Sequence, residues 1–422
     1  MRLRMFQRNF KLFPILMWAL TLSFFTYQFI LRLWPGLMMH QIMGQFSIDA
    51  SHFGLLAALY YYGYSGMQIP AAILLERFKI RYVVASFVII CGLATLMFTY
   101  TNSWYLACIS RFLVGAGSAI GFLAVSKVIS QWFSKDSYAK MIGFSFSIGL
   151  LGAIYGGKPI SMLIEQHDWQ SVAFVLTLVS LALGFCILFF LRSPQTTSQP
   201  DQKTFNAKQF KEVMACPSLW VLAIANFMMV GSLEGFADVW GVPYLITSFA
   251  ITKGEAAQLV SFIFVGMLFG GPILAFLSKK IGKYTVISLA GLVMALSFKL
   301  LLSTHVYHSY GLACLFLVIG MMCCYQVIIF AAGADLVQTK LLGVSVAFLN
   351  CVNMLGGSFF HSVIGHAMDA TWSGAMSSEG VRQYNLESYQ MSLQLIPYCA
   401  IAGACLVALI GFHSRRRAIL QS

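Results

Sequence analysis

Charge is what this chain has least of. Asp, Glu, Lys and Arg make up 10% of its 422 residues, against 59% hydrophobic, where a soluble domain carries roughly 25% charged. That scarcity excludes an ordinary soluble globular protein. Acids are the rarer sign, 14 against 27 basic residues, for a net charge of +13. On a soluble domain such an excess would suggest nucleic acid. Here the basic residues fall in short connections between apolar runs, so no nucleic-acid partner is expected. Metal-ligand spacing is also missing. The ten cysteines sit mostly inside apolar runs, with Cys323 and Cys324 adjacent, and read as packing residues. No cofactor is expected. No nucleophile–base motif marks an enzyme, and no Walker sequence lets ATP act directly. A cleavable leader is not expected either, because the first apolar run, from Phe13, is too long and lacks a small-residue cleavage site.

What is present is length in apolar runs. Runs of about 20 residues or more recur from end to end, long enough for a bilayer. Twelve spans are predicted, starting near residues 13, 53, 82, 104, 139, 171, 219, 256, 284, 310, 342 and 391. With the N-terminus inside, one side collects Arg77, Lys79, Arg81, Lys135, Lys140, Arg192, Lys203, Lys208, Lys211, Lys279, Lys280, Lys283 and Lys340, followed by Arg415, Arg416 and Arg417. The other holds only Lys253 and Arg382. An error of one span would scramble this division, so both termini are expected to be cytoplasmic. Residues 193–216, rich in Gln, Thr, Ser, Pro and Lys, read as a linker with one short amphipathic helix. They divide the chain into bundles of six spans at 1–192 and 217–422. A shift of about 203 residues superposes the halves: Ile48 falls on Ile251, Gly63 on Gly266, and Glu76-Arg77 on Lys279-Lys280. Small residues four apart, Gly115/Ala119, Gly117/Gly121, Gly152/Gly156 and Gly266/Gly270, mark faces where helices can approach closely.

Between the second and third spans lies QIPAAILLERFKIR, residues 68–81. It resembles the loop signature of the major facilitator superfamily, with Gln68, Pro70, Leu74, Arg77 and Arg81 matching and Glu76 in the place of the acid. Ala72 and Lys79 stand where the signature has glycines, and Lys79 departs from the tight turn that glycine allows. The resemblance implies an all-α membrane protein of two pseudo-symmetric six-helix bundles, a substrate site between them near the midplane, and alternating access gated by Gln68, Pro70, Glu76, Arg77 and Arg81. It also implies a monomer. The phrases FGLLAALYYYGYSGMQIP, RFLVGAGSA, WGVPYL and AFLNCVNMLGG resemble one proteobacterial branch, the intraphagosomal amino-acid transporters (Pht). That likeness implies a bacterial inner membrane and uptake of a small polar solute, most readily an amino acid, together with protons. Related permeases for organic anions, sugar phosphates or nucleosides are the alternative. A membrane sensor on the same fold would need an output domain, for which the tails and linker leave no room.

A charge at the centre of a span costs about 2.5–3.5 kcal/mol on insertion scales, so intramembrane charges are functional candidates. The basic ones are Arg32, Arg111, Lys127, Lys158 and Lys299, and the acids well within a span are Glu234 and Asp238. Under the repeat, position 31 falls on Glu234. Arg32 could therefore take a carboxylate while Glu234 or Asp238 takes an ammonium, which suits a zwitterion. Glu234 and Asp238 could instead carry protons, since burial disfavours an ionised carboxylate. A salt bridge closing the mouth, or snorkelling to headgroups, would also account for these charges. Arg111 resembles the fourth-span arginine of the superfamily, with a role in proton coupling or in bracing the first half. Tyr27, Tyr61, Lys158, Tyr325, Asn350 and Asn353 complete the expected substrate site. Asn350 and Asn353 are three apart, hence on one helix face. His361 in the eleventh span could titrate near neutral pH or sit satisfied in the core.

Overall fold

A computed structural model describes residues 2–194, 207–304, 306–338 and 341–421, with side chains described for 12–138, 140–194, 211–304, 306–338 and 341–412. Residues 195–206 of the expected linker lie outside the described residues, as do Lys203 and Lys340. The expected amphipathic helix is present at Ala207–Met214.

Among the described residues eleven helices are long and apolar enough to cross a membrane: α1 (Leu12–Leu37), α3 (Ile80–Tyr100), α4 (Trp104–Trp132), α5 (Lys135–Gln166), α6 (Trp169–Phe190), α7 (Pro217–Phe249), α8 (Lys253–Ile281), α9 (Lys283–Ser303), α10 (Ser309–Asp335), α11 (Leu342–Ala370) and α12 (Leu386–Phe412). The remaining span, α2 (Ala50–Arg77), has 28 residues, its hydropathy diluted by Tyr60, Tyr61, Tyr62, Tyr64, Ser65 and Gln68. Chain direction alternates, so the start of α1 and the end of α12 share one face, called here the terminal face. In the first half α1 packs on α4, α5 and α6, α2 on α4, and α3 on α4 and α6. In the second, α7 packs on α11 and α12, α8 on α10, and α9 on α10 and α12. The halves meet along α2–α11, α5–α8 and α1–α7.

The sequence repeat is a structural repeat. Ser47 and Ala250, about 203 apart, are the two non-glycine residues with positive φ among the described residues, at 50° and 52°. Each ends a helix and turns the chain into the next cap. Asp49 caps α2 by accepting from the His52 N–H. At the same offset Thr252 caps α8 by accepting from the Glu255 N–H in a full capping box. Gly63 and Gly266 are equivalent too: a Cβ on either would collide with the backbone carbonyl of Phe112 or of Leu317. This is why α2–α4 and α8–α10 pack backbone to backbone.

Opposite the terminal face the halves are clasped. The Asp369 carboxylate, at the end of α11, accepts from the Ala50 and Ser51 N–H groups at 3.3 and 2.7 Å. These are open donors at the start of α2, where the helix dipole favours an anion. Arg382 lies 3.2 Å from Asp369 and 3.7 Å from Asp49, and the Tyr384 hydroxyl donates to Asp369 and accepts from Ala50 N–H. The chain between Asp369 and Tyr384 turns back through an isolated Met376–Arg382 bridge, setting Val381 against Gly44 of the short helix Met39–Phe46. Burial would raise the Asp49 carboxyl, but hydrogen bonds from the His52 N–H, the His52 ring and the Ser51 hydroxyl outweigh it and hold Asp49 well below the usual range.

Asp369→Asn weakens several bonds to a charged group, each worth about 1.5–3 kcal/mol. A cysteine at Ser51 should then label several-fold faster from the clasped face. Unchanged labelling would mean that helix packing alone holds that face shut.

Candidate functional site

The site begins with a proline. Pro35 has no N–H, so the Leu31 carbonyl one turn earlier loses its helical partner. Arg111 of α4 supplies the replacement: its Nη1 donates to the Leu31 oxygen at 3.1 Å, and its guanidinium lies over the Tyr60 ring at 5.3 Å. The next residue, Arg32, points between the Phe29 and Tyr61 rings, 5.5 and 5.7 Å away. Gly36 then lets α1 touch α7, since a Cβ there would lie 2.6 Å from the Asp238 carbonyl oxygen.

Across the interface α7 is irregular. It passes through a 3₁₀ turn, Val230–Ser232, into a π-helix, Leu233–Trp240. The wider i→i+5 winding keeps Glu234 and Asp238, four apart, on one face. That face meets Arg32. Arg32 Nη2 lies 3.0 Å from Glu234 Oε2 and donates to Asp238 Oδ1 at 2.9 Å. Arg32 Nε lies 2.6 Å from Asp238 Oδ2, an ionic contact without hydrogen-bond alignment. The Tyr61 hydroxyl reaches Glu234 Oε2 at 2.5 Å and also contacts Asp238 Oδ2. It has one hydrogen for two carboxylates. Side-chain exposure is 11% for Arg32, 2% for Glu234 and 1% for Asp238, so water screens little of the interaction. Arg32 and Tyr61 belong to the first half and both acids to the second. With both carboxylates ionised, Arg32 sets one positive charge against their two, and the Arg111 guanidinium behind the cluster, within electrostatic reach of Asp238, supplies the second. A small cavity between α1, α5, α7 and α8, lined by Leu33, Gly36, Gly157 and Phe264, reaches Asp238.

The expected site residues are thus partly brought together. Arg32, Tyr61, Glu234 and Asp238 form one cluster, and Arg111 braces it from behind. Tyr27 donates to the Leu176 carbonyl of α6. Tyr325 donates to the Asn226 carbonyl at 3.2 Å. Asn353 is fully buried and Asn350 half-buried. Lys158 lies apart, bonded to Gln258 of α8 at 2.8 Å, and Lys299 bonds to Gln394 beside the Tyr398 ring. In the 68–81 hairpin Gln68 is buried, Pro70, Glu76 and Arg77 are exposed, and Arg81 stacks on Tyr82 at 4.5 Å.

Some groups were not expected. Asn226 was passed over as one amide in an apolar run, and it is completely buried with no protein partner for either side-chain atom. The same holds for Asn353 and for both ring nitrogens of His361. His361 is therefore not the satisfied core histidine that its apolar setting suggested. The π-helix left no sequence signal beyond two acids in a span.

The Major Facilitator Superfamily profile matches residues 16–361, and the chain belongs to that family of membrane transporters. Over 377 residues it is 22% identical to a probable hexose phosphate transport protein of Chlamydia muridarum, covering 80% of this chain and 81% of that one. A 161-residue stretch is 29% identical to the uncharacterized transporter YybO of Bacillus subtilis, covering 38% of this chain and only 36% of that protein. Its fold matches the crystal structure of a bacterial homologue of the human lysosomal transporter Spinster, inward-facing and occupied, with a TM-score of 0.73 at 15% identity over 94% of this chain and 95% of that one.

Removing the brace should cost stability first. Arg111→Met strands the buried Leu31 carbonyl, for a loss of about 1–3 kcal/mol. A lowered Tm in detergent, partly restored in Arg111→Lys, is the expected outcome.

Proposed function

We propose that this protein is a secondary active transporter for a small carboxylate- or phosphate-bearing solute, with Arg32 as the anion anchor and Glu234 and Asp238 as proton carriers. The observation that carries this reading is a single buried guanidinium held by two carboxylates from the other half. A solute anion entering the site must compete with those carboxylates for Arg32. Neutralising one acid by a proton weakens its hold on Arg32 and leaves that guanidinium freer for the anion. Proton and anion binding then assist each other, and by linkage each favours the other by the same factor. The Chlamydia relative is named for hexose phosphate, an anion, which agrees with an anchor of this kind.

An amino acid is the second reading, favoured by two acids facing one Arg32: an ammonium would take one α7 acid while its carboxylate takes Arg32. In either case the units 1–192 and 217–422 rock about the linker 193–216, in a monomer in a bacterial inner membrane, with the terminal face cytoplasmic. The exposed hairpin residues Glu76 and Arg77, with Gln68, Pro70 and Arg81, close the terminal face in the opposite state.

Proteoliposomes with an imposed pH gradient test this, with hexose phosphate, tartrate and neutral amino acids offered in turn. Arg32→Ala should lower uptake at least tenfold. Glu234→Gln should keep solute exchange while losing the response to the gradient. Uptake indifferent to both substitutions would sink the reading.

A further inference from the structure

The acid cluster accounts for the charged end of a solute and leaves a wall of buried neutral groups without work. Gly357 of α11 lies flat under the Tyr61 ring, where a Cβ would be 2.7 Å from two ring carbons. Asn353 and His361, four residues before and after Gly357, lie on the same face of α11. The His361 ring centroid is 5.3 Å from that of Tyr61, whose hydroxyl contacts both acids. Asn226 stands one turn before Val230, which packs on Gly356 at the α7–α11 crossing. Asn353 stands one turn before that crossing on α11. All three side chains are fully buried, and no group among the described residues bonds to any of their six polar atoms.

Buried polar groups are rarely left unbonded, because each costs free energy and an apolar residue of similar size would not. Their chemistry narrows what they await. A side-chain amide offers donors and an acceptor, and an uncharged imidazole offers one of each. An anion would call for donors alone, an ammonium for acceptors alone, and an aliphatic body for neither. Groups that both donate and accept match hydroxyls and amides.

We propose that Asn226, Asn353 and His361 form a specificity wall that reads hydroxyl or amide groups on the body of the solute. The substrate class is then a polar, hydroxylated small molecule rather than a bare aliphatic acid. This rests on Arg32 anchoring the charged end. A site built to bond a hydroxyl rejects the analogue lacking it, because its own buried groups are then left unpaired.

The test uses the purified full-length chain and matched probes, tartrate against succinate and serine against alanine, read as ligand-induced shifts in Tm. The hydroxylated member of a pair should bind better by about tenfold or more in apparent Kd. That preference should vanish in Asn353→Leu and in His361→Phe. Ligand-free Tm of both variants should be equal to or above that of the parent, since an unbonded polar group has been replaced by an apolar one. The proposal is overturned if the parent ignores the hydroxyl, if the preference survives both substitutions, or if ligand-free Tm falls, which marks a structural role. Binding that needs Arg32 but ignores hydroxyls leaves the anchor standing and removes the wall. A hydroxyl preference that persists in Arg32→Ala does the reverse, and no shift with any probe removes both.

Discussion

Everything near the middle of this protein depends on one charge that cannot stay alone. Arg32 lies in a span with 11% of its side chain exposed, where an uncompensated guanidinium would be prohibitive. Its own half offers it only the Phe29 and Tyr61 ring faces. The carboxylates come from α7, so each half buries a charge that only the other can neutralise. Removing one member of a buried pair typically costs about 3–5 kcal/mol, because the survivor is left uncompensated. The halves cannot separate at this level unless something takes the place of a partner.

Two departures from regular helix and one glycine shape that meeting, and the two departures fall at matching places in the repeat. Pro35 interrupts α1 within residues 30–37, and the π-helix Leu233–Trp240 occupies the equivalent stretch of α7 about 203 residues later. The first frees a carbonyl that draws in Arg111. The second carries two acids, four apart, on the face that meets Arg32. Gly36 removes the Cβ that would hold the two segments apart.

The sequence made the architecture legible because lipid imposes a coarse code of apolar length, loop charge and repeat. The spans start within about five residues of where hydropathy sets them. The repeat that matched Ile48 to Ile251 resurfaces in paired left-handed residues and paired caps. Arg32 and Glu234 were visible as costly charges at nearly equivalent positions. Which side chain meets which was not visible, because that depends on helix rotation and on a change of winding. Asn226 escaped, and His361 stayed open between a titrating and a satisfied core histidine, for a related reason: a polar residue in an apolar run gives no sign of whether a partner waits across the gap. The clasp at Asp369 escaped because its donors are backbone N–H groups, which every helix start possesses.

The two contacts that join the halves differ in what can replace them. The clasp at Asp369, Arg382 and the start of α2 is half-buried, with 33% of the Arg382 side chain exposed, so water can reach its groups as they part. The cluster at Arg32, Glu234 and Asp238 has no such substitute. Water is largely excluded there, and Arg32 is held by two carboxylates of the other half. In the transport cycle proposed above, a proton takes one carboxylate while the solute anion takes its place on Arg32. The deep contact therefore decides when the halves are free to move, and the surface clasp follows it.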